Sequence, residues 1–115
     1  MGVGFSHGTA QWTYSGFSEF RRRLARAHGI DLSVMLGWRG EAPWTIVDSP
    51  LVPLLVANDD RGSVAASDCE ACAAAIEEIV ATWNEWYDFH DRSNGEMLAA
   101  GMRECARLGI PLKIH

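Results

Sequence analysis

The chain has 115 residues, 48% of them hydrophobic, which is enough to bury a core in a single domain over 1–115 without disulfide staples. A net charge of -5 argues against general affinity for phosphate backbones, so nucleic acid is not the expected partner. No apolar run approaches the roughly 20 residues that span a bilayer, and no charged-then-apolar leader opens the chain, which predicts a cytoplasmic protein with no membrane partner.

The opening "VGFSHGTAQWTYSGF" is rich in aromatic and β-branched residues and is broken by Gly8, so Val3 to Ser6 and Ala10 to Tyr14 are expected as short strands. Leu112 to His115 alternates apolar and polar after Pro111 and would close a small antiparallel sheet against them. From Phe17 the period changes. Phe17, Phe20, Leu24 and Ala27 recur at helical spacing, with Gly29 as C-terminal cap. Arg21, Arg22, Arg23 and Arg26 point elsewhere, as a solvated patch with Glu19 pairing to Arg23. Asp31 is placed to cap a short second helix through Leu36, ended by Gly37. Trp38 and Trp44 then plug the core from an irregular connection. Ser49 and Pro50 match an N-cap and first helical position, with helix to about Val56.

Between two helical patterns lies "NDDRGSVAASDCEAC", residues 58 to 72. Ser67 and Glu70 read as a capping box that starts a helix near Asp68. Cys69, Cys72, Ala73, Ile76, Val80, Trp83, Tyr87 and His90 keep its three- and four-residue spacing, so one long amphipathic helix is predicted as far as His90. A last helix from about Asn94 carries Met97, Leu98, Gly101, Met102, Cys105 and Leu108, with Gly109 as cap and Pro111 beyond. The expected fold is α-dominated α+β, with about four helices and a small sheet of the chain's two ends.

An EF-hand loop carries oxygen ligands at positions 1, 3, 5 and 12 around a glycine at 6. Gly62 at position 6 puts Asp59 at 3, Val64 at 8 as an apolar anchor and Asp68 at 12, between helices. Ala57 and Arg61 then occupy positions that need oxygen, so the loop reads as an EF-hand-shaped joint in which Gly62 supplies an unusual backbone angle. Cys69-x-x-Cys72 has redox spacing at a helix start, but neither the strand of a thioredoxin-like site nor a spaced zinc quartet accompanies it. Cys69, Cys72 and Cys105 are therefore expected as buried thiols. Asp59, Asp68, Cys69 and Cys72 remain weak metal candidates, and no cofactor is expected.

The stretches "YSGFSEFRRRLARAHGIDL" at 14 to 32, "SPLVPLLVANDDRG" at 49 to 62 and "LAAGMRECARLGIPL" at 98 to 112 resemble a family of small uncharacterised proteins of actinobacteria and their phages. Members of that family carry a His-Ser-Asp-Cys-Asp-Gly loop where this chain has Ala57 to Gly62. The departures at Ala57, Asp60 and Arg61 keep any metal role from being carried over. The resemblance implies a bacterial or phage cytoplasmic setting and no activity.

His7, His28, His90 and His115 are scattered, and His28 suits a helix C-terminus as a cation favoured by the dipole. His90, beside Asp88 and Asp91, is the one imidazole that a carboxylate could orient for proton transfer. "WNEWYDFHD", residues 83 to 91, crowds four aromatic rings together. Trp83 and Tyr87 fall on the buried stripe, while Trp86 and Phe89 fall to its sides, which suits a protein-binding or homodimer surface of Trp83, Trp86, Tyr87, Phe89 and His90. The sequence thus favours a noncatalytic protein-binding or regulatory domain. A degenerate EF-hand-like metal binder, and a small enzyme using His90 with an aspartate, are the alternatives.

Overall fold

A computed structural model describes residues 2–115. Helix α1 spans Tyr14–Ala27 and opens on Thr13, whose hydroxyl accepts the Gly16 amide at 3.0 Å. It therefore begins ahead of Phe17, and the strand expected over Ala10 to Tyr14 shrinks to one bridge between Trp12 and Val3. The local hydroxyl cap outcompetes the β-propensity of its neighbours. Asp31 does cap a helical turn by accepting the Ser33 amide, but that turn is 3-10 and covers only Leu32–Val34. Helix α2, Val52–Val56, follows a turn in which the Ser49 hydroxyl accepts the Leu51 amide at 3.2 Å.

Strand β1, Ser63–Val64, leaves the candidate calcium loop and leads into α3, Ala66–Val80. The expected capping box is not formed. The N-cap is Ala65, without a side-chain bond, and Glu70 reaches across to Arg103 instead. Nor does α3 continue to His90. The Thr82 amide and hydroxyl both turn back onto the Ile79 carbonyl, at 3.0 and 2.7 Å, the kind of local bond by which threonine competes with a helical ladder. A new start follows at once. Glu85 and Asp88 exchange side-chain and backbone bonds around the 3-10 turn Trp86–Asp88, which runs into α4, Phe89–Leu108. The last helix thus begins at Phe89, not near Asn94. Gly109, at φ 70, ends it, with the Ile110 amide bonding back to the Cys105 carbonyl at 3.1 Å.

Strand β2, Leu112–Lys113, pairs antiparallel with β1, Val64 opposite Leu112. On its other side the C-terminal segment receives the N-terminus, with Phe5 bridging Ile114 and Gly4 exchanging two bonds with His115. The two ends do meet, but through isolated bridges: no strand forms over Val3 to Ser6, and the sheet partner of β2 is β1, which periodicity did not reveal. Among the described residues, four α-helices and this two-stranded sheet make an α-dominated α+β fold.

Helices α3 and α4 contact each other more extensively than any other two elements. Phe17, Phe20 and Leu24 of α1 are fully buried against the same cluster, each contributing about 1.5–3 kcal/mol through removal from water. Trp12 stacks on Phe20 with ring centroids 4.4 Å apart. Trp38 and Trp44 are half-buried at the core's edge, their indole N–H groups donating to the carbonyls of Leu55 and Leu36. The N-terminal segment crosses α4 at Gly101, where a Cβ would lie 2.3 Å from the His7 carbonyl oxygen.

Candidate functional site

In the 57–62 loop, Asn58 Oδ1 accepts the amides of Asp60 and Arg61, and the Gly62 amide donates to the Asn58 carbonyl at 3.0 Å. Asn58 thus shapes the turn from position 2 of the loop, which supplies no ligand in an EF-hand. Gly62 is not in a left-handed conformation. It is required sterically, since a Cβ would lie 2.4 Å from Asn58 O. Val64 is fully buried, so it does anchor the loop, while Asp68 is exposed on the first turn of α3. Among the described residues no three His, Cys, Asp or Glu side chains gather as metal ligands.

Cys69, Cys72 and Cys105 are buried free thiols. Burial raises the pKa of all three, that of Cys72 to about 12, the reverse of what a nucleophilic or redox cysteine needs. The Cys69 thiol donates to the Val64 carbonyl at 3.7 Å.

The 83–91 segment is built differently. Because helical phase is lost after Val80 and restarts at Glu85, the stripe that placed Tyr87 in the core does not apply. Tyr87 is 67% exposed, Trp86 86% and Phe89 77%. The Trp86 and Tyr87 rings meet edge to face at 5.7 Å. Trp83 alone turns inward, half-buried with its ring 5.8 Å from Phe20 and with Arg23 over it at 3.7 Å.

Arg23, which covers Trp83, is the centre of a polar network at this corner. Its Nη2 lies 3.0 Å from Asp88 Oδ1 and its Nη1 3.5 Å from Asp91 Oδ2, while Trp12 Nε1 donates to Asp91 Oδ1 at 2.9 Å. The Asp88 contact is an ion pair outside hydrogen-bond alignment, and Oδ1 has no other partner. Asp88 is buried, and its Oδ2 accepts the Glu85 amide at 3.3 Å. Charged groups of α1 and α4 thus fix the corner that presents Trp86, Tyr87 and Phe89. The pairing expected between Glu19 and Arg23 is replaced by Glu19 with Arg22, at 2.7 Å.

His90 is exposed, and neither neighbouring aspartate orients it. Asp88 and Asp91 are engaged by Arg23 and Trp12, while the imidazole sits 3.3 Å from Asn94 Nδ2. Asn94 itself is buried, donating to the His90 carbonyl at 3.0 Å and accepting the Gln11 amide at 2.9 Å. The acid-base arrangement considered for His90 is therefore not assembled. His115 shares an open cleft of ≈ 500 Å³ with His90, beside Trp12. His28 caps α1 and places Nδ1 2.8 Å from the Ser49 hydroxyl.

One arginine departs from the solvated patch expected of it. Arg21 is buried, its Nη1 donating to the carbonyls of Leu54 at 3.3 Å and Ala57 at 2.8 Å. The signal was its position four residues after Phe17, on the edge of the apolar stripe. Among the described residues no helix is long and apolar enough to cross a membrane. Comparison with protein-family models, curated proteins and solved structures finds no match.

Proposed function

We propose that the chain is a noncatalytic protein-binding or regulatory domain whose contact surface is Trp86, Tyr87 and Phe89, with Trp83 and His90 at its rim. The observation that carries the reading is the exposure of three adjacent aromatic side chains at 86%, 67% and 77%. Such rings bring about 150–250 Å² each into an interface and supply most hot spots. Together they offer roughly 500 Å², more than half of the ~800 Å² that one side of a standard interface buries. The Arg23 network supports the reading further, because anchors on a pre-fixed backbone lose little ordering entropy on binding. Buried, unpaired thiols suit the reducing cytoplasm in which we place the protein.

The test is paired capture with full-length wild type and W86A/F89A as baits in a lysate of the native host, alongside light scattering of both proteins. A partner retained by wild type and lost by the double variant, or a wild-type dimer that the double variant converts to monomer, is the expected outcome. Identical recoveries, or a wild type that is monomeric and enriches nothing, would overturn the proposal.

A further inference from the structure

A cation withdrawn from water needs an acid or a full set of acceptors, because its desolvation is otherwise uncompensated. Arg21 has neither. Its side chain is 4% exposed, its Nε has no partner, and among the described residues no carboxylate forms an ion pair with it. The guanidinium lies over two rings, 4.4 Å from the Phe17 centroid and 4.7 Å from that of Trp38. Burial lowers its pKa to about 10, with only a partial opposing effect from Asp59.

The same residue forms part of the wall of an open cleft of ≈ 410 Å³, between α1, the turn at 37–39 and the end of α2. Arg22, whose Nη1 also pairs with the exposed Glu19 at 2.7 Å, and Arg39 line the cleft as well, and Asp59 is the one acid in its wall. Arg39 has no ion-pair partner among the described residues and holds φ at 76, a conformation that a long side chain adopts only when its surroundings impose it. Nothing in the aromatic surface is shared with this cleft.

The geometry points to the cleft as a binding site for a small molecule that carries an oxyanion, a phosphoryl or carboxylate group received by Arg21, Arg22 and Arg39. Guanidinium forks match both groups through paired, charge-assisted bonds. The cleft falls within the range of roughly 300–1,000 Å³ that small-molecule sites occupy. An anion there would supply the countercharge that Arg21 lacks. Asp59 on the wall limits the negative charge that the cleft can take, which disfavours a polyanion.

Isotope-labelled full-length protein is titrated at constant ionic strength with inorganic phosphate and, separately, with succinate, following the Trp38 indole and arginine Nε–H resonances by NMR. Saturable shifts at Trp38 and Arg21 are expected with at least one anion, weakened about tenfold in R22A and in R39G, since one charge-assisted bond is worth about a factor of ten. R39G keeps the test independent of folding, because glycine accepts the left-handed backbone freely. A response to phosphate alone assigns a phosphoryl group and a response to succinate alone a carboxylate. No saturable shift at tens of millimolar, or shifts unchanged in both variants, would overturn the inference.

Discussion

Replacing Arg23 by methionine keeps the apolar stem but removes the charge that joins α1 to the start of α4. Three contacts go together: the ion pair with Asp88 at 3.0 Å, that with Asp91 at 3.5 Å, and the cation over Trp83 at 3.7 Å. Stranding a buried carboxylate costs about 3–5 kcal/mol, and the Arg23 side chain is 30% exposed, so water moderates this to about 2 kcal/mol. Loss of the cation–π contact adds about 1 kcal/mol. The expected loss of about 3 kcal/mol would move a urea midpoint, followed by tryptophan fluorescence, by about 1–2 M. The double variant R23M/D88N is the decisive control. An asparagine oxygen still accepts the Glu85 amide but strands no charge, so the double variant should be more stable than the sum of the single losses predicts, by about 2 kcal/mol. A single loss below about 1 kcal/mol, or additivity within about 0.5 kcal/mol, would refute the claim that this network fixes the corner.

Cys72 makes stability pH-dependent at the alkaline end. Burial raises its folded pKa from 9.0 to about 12, so the stabilisation it contributes is whole below pH 9 and is lost as pH rises toward 12. Wild type should lose up to about 1.4 kcal/mol per pH unit in that window relative to C72A, and parallel urea midpoints for the two proteins would count against it. Glu77 acts at the acid end. Hydrogen bonding from Arg103 holds its carboxyl below the ordinary value, so its contribution is present above the unfolded pKa and lost as pH falls through the folded one. E77Q should melt with a flatter acid limb than wild type. Gly101→Ala forces a Cβ to 2.3 Å from the His7 carbonyl, and the resulting backbone shift should cost about 1–3 kcal/mol, measured by thermal unfolding.

The α1 stripe of Phe17, Phe20 and Leu24 and the stop at Gly109 and Pro111 were legible because each rests on local spacing and chemistry. The stretch from Thr82 to His90 was not. Apolar spacing continued through it by coincidence, while Thr82, Glu85 and Asp88 used side-chain bonds to end one helix and begin another. The candidate surface was therefore found in part. Trp86 and Phe89 were placed beside the stripe, but the exposure of Tyr87 needed the broken helical phase. Arg21 was misplaced for a different reason. A charged residue on a half-apolar face looks solvated until its stem and acceptors are seen, and those acceptors are the carbonyls of Leu54 in α2 and Ala57 just beyond it, more than thirty residues on. The loop of Asn58, Asp59 and Gly62 looked like chemistry because turns and cation sites draw on the same residue types.

On the proposed function, Trp86, Tyr87 and Phe89 carry binding energy and not folding energy. Its most direct test is one binding isotherm, of the captured partner or of dimer dissociation where the partner is a second copy, for wild type and W86A/F89A at matched melting temperature. The double variant should bind at least about tenfold more weakly. An affinity within about twofold of wild type, with stability unchanged, would contradict it.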